Sequence, residues 1–275
     1  MLTVVASAEE QPASPAIQEE VWAIPITLPT IAYVVRPVGD GPFPLVVMNH
    51  GVSLNQRERG FFPIVEFRDA AMWFARRGYM VVAPSGSGYG AAALDEPERG
   101  LYSSFYSKIG SCDNPNFHDA GLAVALVDKW IIEYMAGQKL IVADDVIVVG
   151  QSAGGWGTLA LSSLNPPGVA AMIDFAGGRG GHQPGVGNCE PSALVKAAGK
   201  YGATARVPLL WINSANDTFF EPKLVNRMVE AYTRAGGQAV HQPVAAFGKE
   251  GHNLASSDSG APIWRPLVEE FLQGK

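Results

Sequence analysis

An α/β architecture, with a mostly parallel, doubly wound sheet and helices on both faces, is predicted by three features of the sequence. Apolar runs of strand length alternate with stretches of helical periodicity, which implies βαβ crossovers. Gly and Pro clusters punctuate the alternation. Residues 146–158, VIVVGQSAGGWGT, place four β-branched residues directly before a glycine-rich turn and a helix, with Ser152 at the apex.

The elements follow in order. Residues 21–28 and 31–37 read as an N-terminal antiparallel hairpin turning at Pro29 and Thr30, and 39–42 (GDGP) closes its second strand. A short strand at 45–48 runs into Asn49-His50-Gly51-Val52 and a polar loop to Gly60. Apolar residues at helical spacing (Val65, Phe67, Ala71, Phe74) predict a helix over 64–77, stopped by Gly78. A strand at 79–83 precedes a long loop, 85–116, rich in Gly, Ser and aromatics, including Tyr89, Tyr102, Phe105 and Tyr106. Loops of that length inside a compact domain usually carry function. A helix over 116–135 leads to the strand at 146–149 and the helix at 155–164. Beyond lie a strand at 169–175, a second glycine-rich loop at 176–191, a strand at 207–212, a helix at 222–235, a strand at 239–245, a loop at 247–259 and a closing helix at 262–273. Long loops thus gather at the carboxyl edge of the sheet, where ligands bind in such folds.

With 275 residues the chain suits one large α/β domain over 21–275, preceded by residues 1–20 as a disordered segment or a signal-peptide remnant. Ala6-Ser7-Ala8 has the small-x-small form of a signal-peptidase site, which favours a periplasmic or secreted protein, with a cytoplasmic one as the alternative. A net charge of −6 offers no basic footprint for nucleic acid or anionic membrane, and no apolar run is long enough to span a bilayer. A small or neutral substrate is the expectation; nothing in the sequence speaks to oligomeric state. Cys112 and Cys189 form no metal-ligand pattern. Each follows a predicted strand, so the two loops share one edge of the sheet, and the choice lies between one disulfide and two thiols.

Glycine two residues before and two after Ser152 permits a sharp strand-to-helix turn that exposes the hydroxyl above a helix N-terminus. Partners for such a serine belong just after later strands. Asp217 follows the strand at 207–212, and His252 follows the strand at 239–245. The chain order Ser, Asp, His is that of a nucleophile elbow on an α/β sheet. Imidazole near neutrality can take the proton that serine must lose, and a carboxylate can fix its tautomer. Asp174, near another strand end, is the alternative acid. Two N–H donors are needed for the tetrahedral oxyanion, and Ala153 and Val52 are placed to supply them. His50 reads as a structural histidine, while His118, His182 and His241 have no metal-ligand spacing, so neither metal nor cofactor is expected. Tyr89, Trp156, Trp211, Phe219 and Phe220 either line the substrate pocket or pack the core.

These residues resemble the α/β-hydrolase superfamily, and within it the dienelactone hydrolase-like and polyester-hydrolase-like branch. The resemblance runs from residue 45 to the C-terminus and rests on MNHG (48–51), APSGSGYG (83–90), DDVIVVGQSAGGWGT (144–158), LLWINSANDTFFEP (209–222) and GHN (251–253). It implies a serine carboxylic ester hydrolase working through an acyl-enzyme on a small or medium ester, with Ser152, Asp217 and His252 as triad. Serine peptidase or thioesterase chemistry with the same triad, or an inactive hydrolase fold kept for binding, are the alternatives. Dienelactone hydrolases themselves use cysteine where Ser152 stands, polyester hydrolases usually have methionine where Ala153 stands, and the HGGG loop of hormone-sensitive-lipase-like esterases is absent after His50.

Overall fold

A computed structural model describes residues 15–27, 29–53, 55–86, 89–90, 110–182 and 187–274. The Ala6-Ser7-Ala8 pattern and the loop aromatics Tyr102, Phe105 and Tyr106 lie outside these residues.

Ten strands are described: β1 (Ile17–Ile24), β2 (Thr30–Pro37), β3 (Phe43–Asn49), β4 (Met80–Pro84), β5 (Gly110–Ser111), β6 (Asn114–Pro115), β7 (Ile141–Gln151), β8 (Val169–Phe175), β9 (Leu209–Ser214) and β10 (Ala239–Val244). The helices are α1 (Gln56–Arg59), α2 (Ile64–Ala75), α3 (Phe117–Gly137), α4 (Ala153–Ser162), α5 (Pro191–Gly202), α6 (Pro222–Arg234) and α7 (Ala261–Gln273). Eight strands form one sheet in the order β1-β2-β4-β3-β7-β8-β9-β10, while β5 and β6 pair separately. β1 and β2 are antiparallel, as is the β2–β4 junction, and the six strands from β4 to β10 are parallel.

Successive residues of each strand face opposite sides, and each side has its own core. Val146 and Val148 of β7 join α3, α4, α5 and α6 through Ile131, Trp156, Leu194 and Val225. Ile147 and Val149 join α2 and α7 through Phe67, Phe74 and Trp264. From β3 the chain winds outward through α2 to β4, and from β7 it winds the other way. The carboxyl ends of β3 and β7 therefore flank the point where strand order reverses, the crevice in which ligands bind in open α/β sheets.

Some boundaries differ from the sequence expectation, for local reasons. β1 begins at Ile17, so residues 17–20 belong to the sheet rather than to the N-terminal segment, because the register with β2 pairs Ile17 with Pro37 and Ile24 with Thr30. β7 starts at Ile141, well before Val146, since Ile141 and Val142 pair with Phe43 and Pro44 ahead of a register shift. Its polar Asp144 and Asp145 hide that half of the strand from a hydrophobicity pattern. Asn116 is the cap of α3 and not its first turn: its side-chain oxygen accepts from Asp119 N–H at 3.2 Å. α5, for which the sequence suggested no bounds, starts on Pro191 in the first turn, where proline is favoured.

Candidate active site

Ser152 sits between β7 and α4 with φ 54° and ψ −116°, a conformation that a non-glycine residue adopts only under constraint. The constraint is visible in its neighbours. A Cβ on Gly150 would lie 2.4 Å from Gly154 O, and one on Gly154 would lie 2.0 Å from Asn49 O, so neither position accepts a side chain. The serine backbone is tied at both ends: its N–H donates to Phe175 O at 2.9 Å, and its carbonyl accepts from Trp156 N–H (2.9 Å) and Gly178 N–H (3.1 Å). α4 starts at Ala153, so its unbonded N–H groups gather beside the hydroxyl.

The structure brings Asp217 and His252 together. Asp217 follows β9, is buried, and its Oδ2 lies 3.0 Å from His252 Nδ1. Its Oδ1 accepts from Phe219 N–H (2.8 Å) and Phe220 N–H (3.0 Å), which orients the carboxylate and keeps its charge solvated by backbone. Asp174 is placed elsewhere. It ends β8 beneath the elbow, pressed against Gly155 and Gly177, and burial raises its carboxyl well above the usual carboxylate range. His252 is held through its own backbone as well. Its carbonyl accepts from Gln151 Nε2 at 2.7 Å, and its N–H donates to Glu250 Oε1 at 3.0 Å. The same Glu250 oxygen accepts from Thr218 N–H at 3.1 Å, and its other oxygen takes the Thr218 hydroxyl, so the acid loop and the histidine loop share one clamp. The imidazole stacks on Phe219 (4.2 Å between centroids), which stacks in turn on His182 (3.7 Å).

The loop after β3 approaches the serine from the other side. Gly51 N–H donates to both oxygens of Glu66 (3.2 and 3.1 Å), and Ser53 N–H donates to Tyr89 Oη at 3.1 Å. The N–H groups flanking Val52 are thereby engaged. His50 is wedged into the same loop, with Nδ1 2.7 Å from Gly51 O and Nε2 accepting from Gly86 N–H at 2.8 Å. Burial pushes its pKa down to about 4, so it is neutral and serves as a two-sided spacer, the structural part expected of it. Burial pushes Glu66 the other way, up to about 8.

A pocket of about 600 Å³ opens over these groups, lined among others by Val52, Glu66, Ser152, Ala153, Arg179, Phe219, Phe220 and His252. Two aromatic candidates are corrected: Trp156 and Trp211 are fully buried core residues outside this lining. The Trp156 indole donates to Phe117 O at 2.8 Å beneath α3, and Trp211 packs against Tyr232. Tyr89 is buried behind the β3 loop against His50 and Phe62, outside this lining, and its hydroxyl accepts from Ser53 N–H. Cys112 and Cys189 form a disulfide that joins the two loops at the carboxyl edge. Among the described residues no cluster of His, Cys, Asp or Glu could hold a metal ion, and no helix is long and apolar enough to cross a membrane.

Four residues at the site escaped the sequence pattern: Gln151, Glu66, Arg179 and Glu250. The available signal was a polar residue in an apolar or glycine-rich setting, Glu66 between Val65 and Phe67, and Arg179 inside GGRGG (177–181).

No family model matches the chain, and no curated protein matches it. Solved structures do. A Klebsiella pneumoniae protein assigned to the dienelactone hydrolases superposes with a TM-score of 0.66 at 20% identity, over 94% of this chain and 99% of the other. An acetyl xylan esterase from Paenibacillus sp. R4 gives 0.60 at 16% identity, over 98% of this chain and 86% of that one. Dipeptidyl peptidase 4 of Porphyromonas gingivalis gives 0.63 at 17%, with 93% of this chain spanning 35% of the larger protein. Likeness at these identities speaks to architecture, and with the strand order above it shows that the chain adopts the α/β-hydrolase fold.

Proposed function

We propose that the protein is a serine carboxylic ester hydrolase. The observation that carries this reading is the buried Asp217–His252 pair at 3.0 Å in the same pocket as a strained, elbow-borne Ser152. Asp217 on Nδ1 leaves Nε2 of His252 as the nitrogen that takes the Ser152 proton. As the hydroxyl oxygen attacks the ester carbonyl, the new C–O bond forms and the carbonyl π electrons move onto oxygen. That oxyanion accepts from Ala153 N–H, at the α4 N-terminus, and from Val52 N–H, whose neighbours are already engaged by Glu66 and Tyr89. Collapse expels the alcohol, protonated by His252, and leaves an acyl-serine. Water attacks with His252 again as base, and the acid departs with Ser152 restored.

The disulfide, of a kind that persists in oxidising compartments, supports together with Ala6-Ser7-Ala8 a reading of export to the periplasm or beyond, with the N-terminal segment leading into one domain. A panel of matched ester, thioester and amide substrates, run beside fluorophosphonate labelling read at Ser152 by mass spectrometry, tests the reading. Ester turnover with labelled Ser152 is expected. Predominant amide or thioester turnover would move the protein to the peptidase or thioesterase alternative, and an unlabelled Ser152 in folded protein would make it a binding module.

A further inference from the structure

Arg179 takes no part in the acyl transfer just derived, yet it stands in the wall of the pocket that holds Ser152 and His252. It is 5% exposed, and its Nε has no hydrogen-bond partner among the described residues. The groups acting on its charge are Tyr89 and Tyr201, and these are phenols that burial keeps protonated, not counter-ions. Burial lowers the guanidinium only to about 10, so it is a cation at neutral pH. A buried cation that the described residues leave without an anion is strongly unfavourable unless something else supplies one.

The loop bearing it is fixed on both sides. Gly178 N–H is bonded to the carbonyl of the nucleophile itself, and Gly180 O accepts from Cys189 N–H at 2.9 Å, next to the disulfide. Gly178 and Gly180 thread past Phe220 and Phe117 so closely that a Cβ would sit 2.5 Å and 3.0 Å from those rings. The arginine is therefore carried on a rigid segment at a set position relative to Ser152. The acids of the pocket do not cancel it. Glu66 is buried, bonded to Gly51 and held protonated up to about 8, and exposed Glu58 accepts the Ser53 hydroxyl at the rim. In a protein of net charge −6, Arg179 thus places a buried positive charge in the wall of this pocket.

We propose that Arg179 is an anion subsite of the catalytic pocket, and that the substrate is an ester bearing a carboxylate or similarly compact anion close to its reacting carbonyl. The proposal rests on the ester hydrolase reading and narrows the small or neutral substrate that overall charge suggested to a small anionic one. A planar guanidinium grips a carboxylate through two parallel N–H···O bonds, so both charge and shape are recognised.

Paired substrates test it. 4-Nitrophenyl hemiglutarate against its methyl ester puts the anion on the acyl side, and 4-acetoxybenzoate against its methyl ester puts it on the alcohol side. In at least one pair the anionic member should have a kcat/KM about tenfold higher. Arg179→Gln should abolish that preference by lowering kcat/KM for the anionic member about tenfold more than for its neutral partner, and Arg179→Lys should keep part of it. Equal or faster turnover of the neutral member in both pairs, or an equal loss on both members in Arg179→Gln, overturns the subsite. Direct binding separates this from failure of the esterase reading. Benzoate should raise the Tm of wild-type protein where benzamide does not, and this holds even if no ester is hydrolysed. Should Arg179→Gln fold poorly, that comparison in the wild type still decides, and equal effects of benzoate and benzamide count against the proposal.

Discussion

Gln151, the residue directly before Ser152, donates its side-chain amide to the backbone carbonyl of His252 at 2.7 Å. Glu250 accepts from the His252 N–H and from the N–H of Thr218, next to Asp217, so the loops bearing Ser152 and Asp217 are each tied to the His252 backbone, the first directly and the second through Glu250. The three loops are thus braced to one another independently of the Asp217–His252 bond. Gln151→Met keeps the volume and removes the donor, and should lower kcat about tenfold with KM nearly unchanged. In Gln151→Glu the buried carboxyl can still donate while protonated, and loses that ability as pH rises through its raised pKa. Its kcat–pH profile should therefore lose its alkaline side relative to wild type; a wild-type kcat in Gln151→Met would remove the brace from the catalytic account.

The φ of 54° at Ser152 is a local cost to the fold. Ser152→Gly relieves it and should stabilise the protein by about 1 kcal/mol, read by denaturant unfolding, while abolishing ester turnover. A loss of stability would show that the serine side chain contributes packing that outweighs the strain.

Glu66 gives stability a pH dependence with a definite sign. Its pKa in the folded chain is about 8 against 4.5 unfolded, so between these values the native state binds the extra proton and stability falls as pH rises. Glu66→Gln removes this contribution. The variant should gain on wild type progressively from pH 4.5 to 8, reaching roughly 2 kcal/mol or more, and a constant difference across that range would contradict the buried, protonated state.

The disulfide closes a long stretch of chain, its cysteines being 77 residues apart. Replacing both by serine should cost roughly 2–4 kcal/mol in unfolding experiments. Because Cys189 N–H holds Gly180 O beside Arg179, KM should also rise, most for substrates that engage the arginine. An unchanged KM would show that the pocket loop holds its shape without the bridge.

Much of this architecture was written in local chemistry. Strand and helix order follows apolar periodicity, and the elbow follows from Gly150 and Gly154, whose Cβ-free approach to Gly154 O and Asn49 O no other residue allows. Asp217 and His252 were legible because parallel topology puts loops after strands on one edge. What periodicity missed depends on distance. The polar first half of β7 is a strand only because β3 lies beside it, and whether Trp156 faces substrate or α3 is decided by the depth of α4 behind the serine. Arg179 and Glu66 are single charged residues in sequence; burial, which is a property of the assembled loops, gives them their meaning.

The bridge between Cys112 and Cys189 also divides the chain in a way the sheet does not. The covalent ring it closes contains Ser152 and Arg179, while Asp217 and His252 lie outside it, further along the chain. A single proteolytic cut anywhere within that ring yields two polypeptides that remain one molecule, and a cut between Ser152 and Cys189 leaves Ser152 and His252 joined through sulfur alone. Such a nicked form would run as intact protein until reduced, so the bond keeps a once-cut chain in one piece.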